Sequence, residues 1–134
     1  MTKKPRGVLP KGVLKIAIPR MGECIAPCLE CSATITIFLV EDGAVVDQID
    51  FPISSAEPLD RIRLLRDQRV DTIICAGVQD AIGDLVRASG IKMISWVSGR
   101  VEDLLIAYLE GRLAPGNESE SPSLDEEKGG SDRK

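Results

Sequence analysis

Histidine is absent from the 134 residues of this chain. Without an imidazole, a Ser-His-Asp triad, a Cys-His dyad and a histidine-ligated metal site are excluded. Aromatic side chains make up only 3% of the residues, too few for the stacking platforms that bind single-stranded nucleic acid. The formal net charge of −4 gives no basic surface for a phosphate backbone. We therefore expect no nucleic-acid partner, and most ordinary enzyme classes are removed.

Long hydrophobic runs are also missing. No apolar stretch approaches the ~18 residues of a membrane-spanning helix, so we expect no contact with a membrane. The first residues are polar and interrupted by Pro5 and Pro10, unlike the apolar stretch of a secretory signal. These features predict a cytoplasmic protein, and free thiols stay reduced in that compartment.

The residues that are present suit one globular domain, with 43% hydrophobic and 28% charged. Residues 1–12 are predicted to form a flexible basic N-terminus and residues 13–113 the folded domain. Residues 114–134 are predicted to be a disordered acidic tail, because they contain almost no large apolar side chains.

Hydrophobic periodicity in the domain predicts the element order β-β-β-α-β-α-β-α. The strands are predicted at residues 13–19, 32–40, 44–51, 71–75 and 91–97, and the helices at residues 58–68, 78–88 and 101–112. Antiparallel strands followed by βαβ units indicate an α/β fold, with a mixed five-stranded sheet covered by helices on its faces.

Two of the helices carry a pattern that predicts which side chains face the core. The first is expected to turn Leu59, Ile62 and Leu65 inward and Arg61, Arg63 and Arg66 outward, and the second to turn Ile82, Leu85 and Val86 inward.

The four cysteines are the most chemically informative residues. Cys24, Cys28 and Cys31 form a C-x3-C-x2-C run in the connection after the first strand, which we expect to be a loop. Thiolates at such short spacings can wrap one soft metal or an iron–sulfur cluster. We predict these three as metal ligands. Cys75, at the carboxyl end of the fourth predicted strand, is a further cofactor-binding candidate.

Sheet topology supports this grouping. If the first and fourth predicted strands are parallel neighbours, their carboxyl ends lie side by side, where open α/β sheets bind ligands. Cys75 would then approach the loop, and the backbone N–H groups of Ala76 and Gly77 would favour an anionic group at the start of a helix. Arg20 is the nearest cation in sequence that could lower a thiol pKa. Trp96 is the candidate for an exposed aromatic side chain at this face, and packing in the core is the equally open alternative.

Other interpretations stay open at this point. Cys75 alone is typical of a small buried hydrophobic residue. All four cysteines could hold a structural zinc, which would make the domain an interaction or regulatory module. The loop cysteines could instead act as a thiol redox sensor, with a reversible disulfide inside the loop.

A family resemblance extends over the chain from about Leu14 to Leu113. It is carried, in order, by the segments KIAIP, IAPCLECSATITIFLVEDGAVV, EPLDRIRLLRDQRVDTIICAGV, ASGIKMISWVSG and VEDLLIAYLEGRL. In their order and spacing these segments resemble the nitrogenase iron–molybdenum cofactor biosynthesis family, the NifX/NafY-type domain that also occurs at the C-terminus of NifB.

The resemblance implies a ribonuclease H-like fold and a non-enzymatic role in metallocofactor biosynthesis. Members of that family bind and deliver metal–sulfur clusters, so the cargo that the resemblance implies is an iron–sulfur or iron–molybdenum–sulfur-type cluster. The implied partner is the metalloprotein that donates or receives the cluster, and a homodimer stays open. Many members have a histidine after the loop proline where this chain has Cys28, which favours thiolate ligation of iron–sulfur or another soft metal.

Overall fold

In a computed structural model of the chain, the structure describes residues 12–114 and residue 116. The elements are β1 (Val13–Met21), β2 (Cys24–Ile25), β3 (Thr34–Glu41), β4 (Ala44–Pro52), α1 (Pro58–Asp67), β5 (Thr72–Ile74), α2 (Asp80–Ala88), β6 (Lys92–Ile94) and α3 (Val101–Leu109). All eight predicted elements are present. The addition is β2, and two residues are too few to leave a periodicity in the sequence.

The strands form one mixed sheet in the order β4-β3-β1-β5-β6, with β2 paired to β1. β1 is antiparallel to β3 and parallel to β5, which it meets at Ile16↔Thr72 and Ala17↔Ile73. The predicted α/β fold with a mixed sheet is confirmed. The predicted number of five strands is wrong within the described residues, because the chain turns back after β1 and adds β2 to its carboxyl end.

Both faces of the sheet are buried at the centre of β1, which explains the almost continuous apolar run of this strand, whereas the edge strand β4 is exposed along nearly all of its length. One face packs with α1 and α2 and contains Ala17, Leu65 and Val86. The opposite face packs with α3 and contains Ile16 and Leu104. The sheet therefore separates two hydrophobic cores.

Two predicted helix faces need correction. In α1, Leu59 is 43% exposed and Arg61 is 4% exposed, the reverse of the prediction. Arg61 is buried because its guanidinium group finds backbone carbonyl acceptors, which a hydrophobicity pattern does not consider. In α2, Leu85 is exposed and Gly83 is buried. Gly83 lies on the side of this helix that faces Met93 of β6, where an added Cβ would make an ordinary contact at 3.7 Å.

The ends of the chain are mostly outside the described residues. The predicted basic N-terminus lies there apart from Gly12, as does the predicted acidic tail apart from Ala114 and Gly116, so both stay predictions. Among residues 12–114 and 116, no helix combines the length and apolar character needed to cross a membrane.

Candidate functional site

The loop that contains three cysteines meets the end of β5 at the carboxyl edge of the sheet. β1 and β5 are parallel neighbours, which meets the condition for the predicted grouping, and the segments that follow them lie together. The backbone N–H of Leu29 donates to the carbonyl of Gly77 at 2.8 Å, and the N–H of Gly77 donates to the carbonyl of Pro27 at 2.9 Å. Leu29 itself is fully buried, so the cysteine loop is partly core rather than surface alone.

The expected anion site at the start of α2 is occupied by the protein itself. The Gly77 N–H is used by Pro27, so it is not available to a ligand. The carboxylate of Glu30 accepts from the backbone N–H of Gln79 at 2.5 Å, at the N-cap position of α2. A negative charge is favourable there because the helix dipole is positive at its N-terminus. The carboxylate of Glu30, from the cysteine loop, therefore takes the place that an anionic ligand would have at the start of α2.

Cys28 and Cys31 are joined by a disulfide, with their Cα atoms 5.4 Å apart. Cys31 is exposed and Cys28 is half-buried. The backbone N–H of Cys31 points at the sulfur of Cys28, with the nitrogen 3.1 Å from Sγ. Ser32 closes the turn, since its hydroxyl donates to the carbonyl of Leu29 at 2.7 Å. Two of the four predicted sulfur ligands are therefore brought together.

The other two cysteines are placed differently. Cys24 is an exposed, free cysteine in β2, where it pairs with Met21 of β1. Cys75 is completely buried in the core beneath α1 and α2. Burial raises the pKa of its thiol to about 12, with a contribution from the negative charge of Glu30. At neutral pH, Cys75 is a protonated thiol rather than a thiolate.

No group of three or more Cys, Asp or Glu side chains is close enough to hold a metal ion within residues 12–114 and 116. The structure thus groups Cys28 with Cys31 and does not add Cys24 or Cys75 to a common donor set. The ligand roles of all four stay predictions.

An open cavity of about 390 Å³, with charged side chains among its lining, lies beside the disulfide. It is lined by Arg20, Met21, Gly22, Cys31, Ala33, Thr34 and Asp50. The guanidinium of Arg20 donates from Nε to the carbonyl of Gly22 at 2.8 Å and lies 3.6 Å from the carboxylate of Glu102. Arg20, predicted as the cation nearest the cysteines, therefore shares a cavity with one of them.

Arg61 also acts on the cysteine loop, although it was predicted on the outward face of α1. Its guanidinium donates to the carbonyl of Ser32 at 2.6 Å and to the carbonyl of Ser55 at 2.7 Å. It thereby ties the residue after Cys31 to the segment that precedes α1. The signal that could have identified it is its i, i+4 spacing from Leu65, which puts both side chains on one helix face.

Trp96 follows β6 at the same edge of the sheet. It is 42% exposed, which favours the exposed placement over the alternative of packing in the core. Its backbone is in the left-handed region with φ of 64°, which is rare for a bulky residue. The ring packs over Gly77, where an added Cβ would lie 3.5 Å from a ring carbon. Trp96 and the cysteine loop therefore contact the same glycine.

Neither a protein-family model nor a curated protein sequence matches this chain. Solved structures do match it in fold. One is a protein of Methanocaldococcus jannaschii described as a candidate dinitrogenase, with a TM-score of 0.64 and 18% identity over 75% of this chain and 92% of that one. Another is a Thermotoga protein described as a candidate NifB protein of the DUF35 family, with a TM-score of 0.61 and 21% identity over 76% and 92%.

A third similar structure is the apo form of the orange protein from Desulfovibrio gigas. Its TM-score is 0.64 and its identity 15%, over 79% of this chain and 95% of that one. All three identities are low, so these likenesses concern the fold. The chain shares its fold with proteins described as a candidate dinitrogenase and a candidate NifB protein, in agreement with the resemblance to the NifX/NafY-type family.

Proposed function

We propose that this protein binds a metal–sulfur cluster as cargo and delivers it to a partner during metallocofactor biosynthesis, without being an enzyme. The observation that carries the proposal is the convergence of Cys28 and Cys31 at the carboxyl edge of the sheet. The proposal includes the ribonuclease H-like arrangement implied by the family resemblance. The antiparallel strands β4, β3 and β1, continued by the parallel strands β5 and β6, support that arrangement.

In its reduced form the pair offers two soft sulfur ligands from one short turn. Thiolates are the donors that iron–sulfur clusters and other soft metals prefer. The N–H of Cys31, directed at the sulfur of Cys28, stabilises negative charge on that sulfur. Two protein ligands leave the remaining metal positions of a cluster to other donors. That suits cargo which must be handed to another protein.

Cys24 and Cys75 require separate arguments as ligands. Cys24 is exposed on β2 and needs a rearrangement of the loop to join the pair. Cys75 is buried with a raised thiol pKa, so binding a metal there requires both access and loss of a proton. A homodimer is the alternative source of further ligands, because two loops would supply four thiolates from Cys28 and Cys31.

The proposed partner is a metalloprotein that donates or receives the cluster. Support comes from structural neighbours described as a candidate dinitrogenase and a candidate NifB protein. Trp96 gives the partner an exposed aromatic contact at the same edge of the sheet as the loop. Aromatic side chains of this kind are enriched where protein interfaces derive most of their binding energy.

The first test is anaerobic reconstitution of the reduced chain with iron and sulfide. We expect a visible charge-transfer absorption and bound iron with matching acid-labile sulfide. Cys28→Ala and Cys31→Ala should each abolish both signals. Cys75→Ala should retain them, because a buried protonated thiol is not needed for a two-thiolate site. A colourless protein without bound iron contradicts the proposed function.

The Cys75 control separates two versions of the site. Loss of the cluster from a folded Cys75→Ala protein would favour the four-cysteine arrangement. Zinc without sulfide, at about one ion per chain, would instead favour the zinc-stabilised module. The structure brings two of the four sulfurs together, so it gives that module less support.

A further inference from the structure

We propose that the Cys28–Cys31 disulfide is a site of thiol–disulfide exchange, and that its substrate is a small zwitterionic thiol with an α-amino-acid group. The inference goes beyond cluster binding and does not depend on it. It gives a reacting atom and a substrate class to the redox interpretation of the cysteine run. The cavity of about 390 Å³ beside Cys31, which has Arg20 and Asp50 in its lining, would receive the substrate.

The two sulfurs of the disulfide differ in access. Cys31 is exposed and lines the cavity, whereas Cys28 is half-buried and does not line it. A thiolate that enters the cavity therefore meets Cys31 first. Which sulfur is attacked determines which one leaves, and a leaving sulfur with stabilised negative charge leaves faster.

The turn is arranged for Cys28 to leave. The backbone N–H of Cys31 is directed at the sulfur of Cys28, with the nitrogen 3.1 Å from Sγ. A thiolate formed on Cys28 would accept a hydrogen bond from that N–H, which favours its charged form. The access to Cys31 and the stabilisation of a Cys28 thiolate therefore both favour attack on the sulfur of Cys31, with Cys28 as the leaving group.

The exchange balances in two steps. A small thiolate attacks Sγ of Cys31, the bond between Cys31 and Cys28 breaks, and its electron pair remains on Cys28 as a thiolate. A second small thiolate then attacks the substrate sulfur of this mixed disulfide and releases Cys31 as a thiolate. Two small thiols are oxidised to their disulfide, the protein disulfide is reduced by two electrons, and the two protons pass through solvent to the protein thiolates.

The charges around the cavity indicate the substrate class. Arg20 and Asp50 both line it, and Thr36 lies between them. Its hydroxyl donates to Asp50 at 2.6 Å and accepts from Arg20 at 3.4 Å. Among the described residues no direct ion pair joins Arg20 to Asp50; the carboxylate beside Arg20 is that of Glu102.

A cavity with both charges matches a group that also carries both. An α-carboxylate would lie toward Arg20 and an α-ammonium toward Asp50, with the substrate sulfur toward Cys31. Because Glu102 offsets part of the charge of Arg20, a carboxylate gains only a modest attraction there, and a purely anionic thiol has no favourable contact with Asp50 to add to it. A zwitterion is the thiol that gains from both walls of the cavity.

The test uses the full chain in its oxidised, metal-free form and four small thiols. Cysteine is the zwitterion, cysteamine the cation, 3-mercaptopropionate the anion and 2-mercaptoethanol the neutral reference. The rate of disulfide loss is followed by acid quenching, alkylation and mass spectrometry, and each rate is corrected for the thiolate fraction of the thiol. We expect cysteine to exceed the reference by roughly fivefold, the size of effect that weak ion pairs give.

Two variants identify the residues responsible. Asp50→Asn keeps an acceptor for the hydroxyl of Thr36 but removes the negative charge. In this variant the corrected rate of cysteine should fall to about the rate of 3-mercaptopropionate. In Arg20→Met, which removes the positive charge, the corrected rate of cysteine should fall to about the rate of cysteamine. With cystine as the probe, Cys28→Ser should form a mixed disulfide at Cys31 faster than Cys31→Ser forms one at Cys28.

Two results would overturn the proposal: corrected rates for the four thiols that agree within a factor of about two, or faster mixed-disulfide formation at Cys28. If Arg20→Met does not fold, the thiol series on the natural chain and the Asp50→Asn variant still decide. The experiment contains no metal, so its failure leaves cluster binding untouched. Failure of the reconstitution leaves the exchange result intact.

Discussion

Arg61 shows how a single side chain can position the cysteine loop. Its guanidinium is 4% exposed and donates to the carbonyls of Ser32, Ser55 and Glu57. A buried cation is costly unless its donors are satisfied, and these backbone acceptors supply most of that satisfaction. The bond to Ser32 fixes the residue beside Cys31, so the local geometry of the disulfide depends on a helix distant in sequence.

Replacing Arg61 with methionine should therefore destabilise the protein. We expect a loss of about 3 kcal/mol in the free energy of unfolding, because the variant leaves buried carbonyls without their charged donor. Urea denaturation measures the change. The matched control is Arg63→Met, since Arg63 is exposed and, among the residues that the structure describes, forms an ion pair with Asp60 alone. This variant should change stability by less than about 0.5 kcal/mol. Equal losses in both variants would contradict a special role for Arg61.

At the scale of elements, the site depends on two connections that hydrogen-bond like short strands. The cysteine loop after β1 and the segment after β5 pair through Leu29, Gly77 and Pro27. Gly77 permits this close approach, because a Cβ at that position would lie 2.9 Å from the carbonyl oxygen of Pro27. The contacting atom belongs to the backbone, so it cannot move aside as a flexible side chain would.

The variant Gly77→Ala should push the two connections apart. Overpacking of this kind costs about 1–3 kcal/mol in stability, and we expect faster reduction of the Cys28–Cys31 disulfide as the loop loosens. Gly83→Ala is the control, because a Cβ there meets Met93 at 3.7 Å and alanine favours a helix. Urea denaturation and the rate of reduction by 2-mercaptoethanol measure the two effects. A stable Gly77→Ala protein with unchanged reduction would refute this account.

At the scale of the whole molecule, Cys75 connects the protonation of one thiol to global stability. The side chain is fully buried between β5 and the helices of one face, and burial raises its pKa to about 12. The ordinary value for this thiol is 9.0. Between these values the unfolded chain loses the proton while the folded chain keeps it, so the unfolded state is favoured as the pH rises.

Stability should consequently fall above about pH 9 by up to about 1.4 kcal/mol for each pH unit from this thiol. The contribution is fully present below pH 9 and is lost progressively toward pH 12. Cys75→Ala removes this dependence and leaves a constant loss from the smaller side chain. Urea denaturation of both proteins between pH 8 and about pH 10.5 measures the difference in slope. Parallel curves would show that the thiol ionises equally in both states.

The amino-acid pattern by itself determined most of the architecture. Alternation in the first strands and apolar runs at residues 71–75 and 91–97 predicted the mixed sheet, because side-chain periodicity records which faces are buried. The absence of histidine and the run of cysteines limited the chemistry of the site to thiolates. The sequence offered the parallel pairing of β1 with β5 only as a condition, and that pairing brings the cysteine loop to the end of β5.

Tertiary structure decided what local patterns do not encode. Spacing alone left Cys24, Cys28 and Cys31 equivalent, and only the folded turn joined Cys28 to Cys31. Burial of Arg61 depended on carbonyls distant in sequence. Likewise, the carboxylate of Glu30 in the cysteine loop accepts a hydrogen bond at the N-terminus of α2. Periodicity reports the average polarity of a face, whereas these placements depend on which donors and acceptors meet when separate segments pack together.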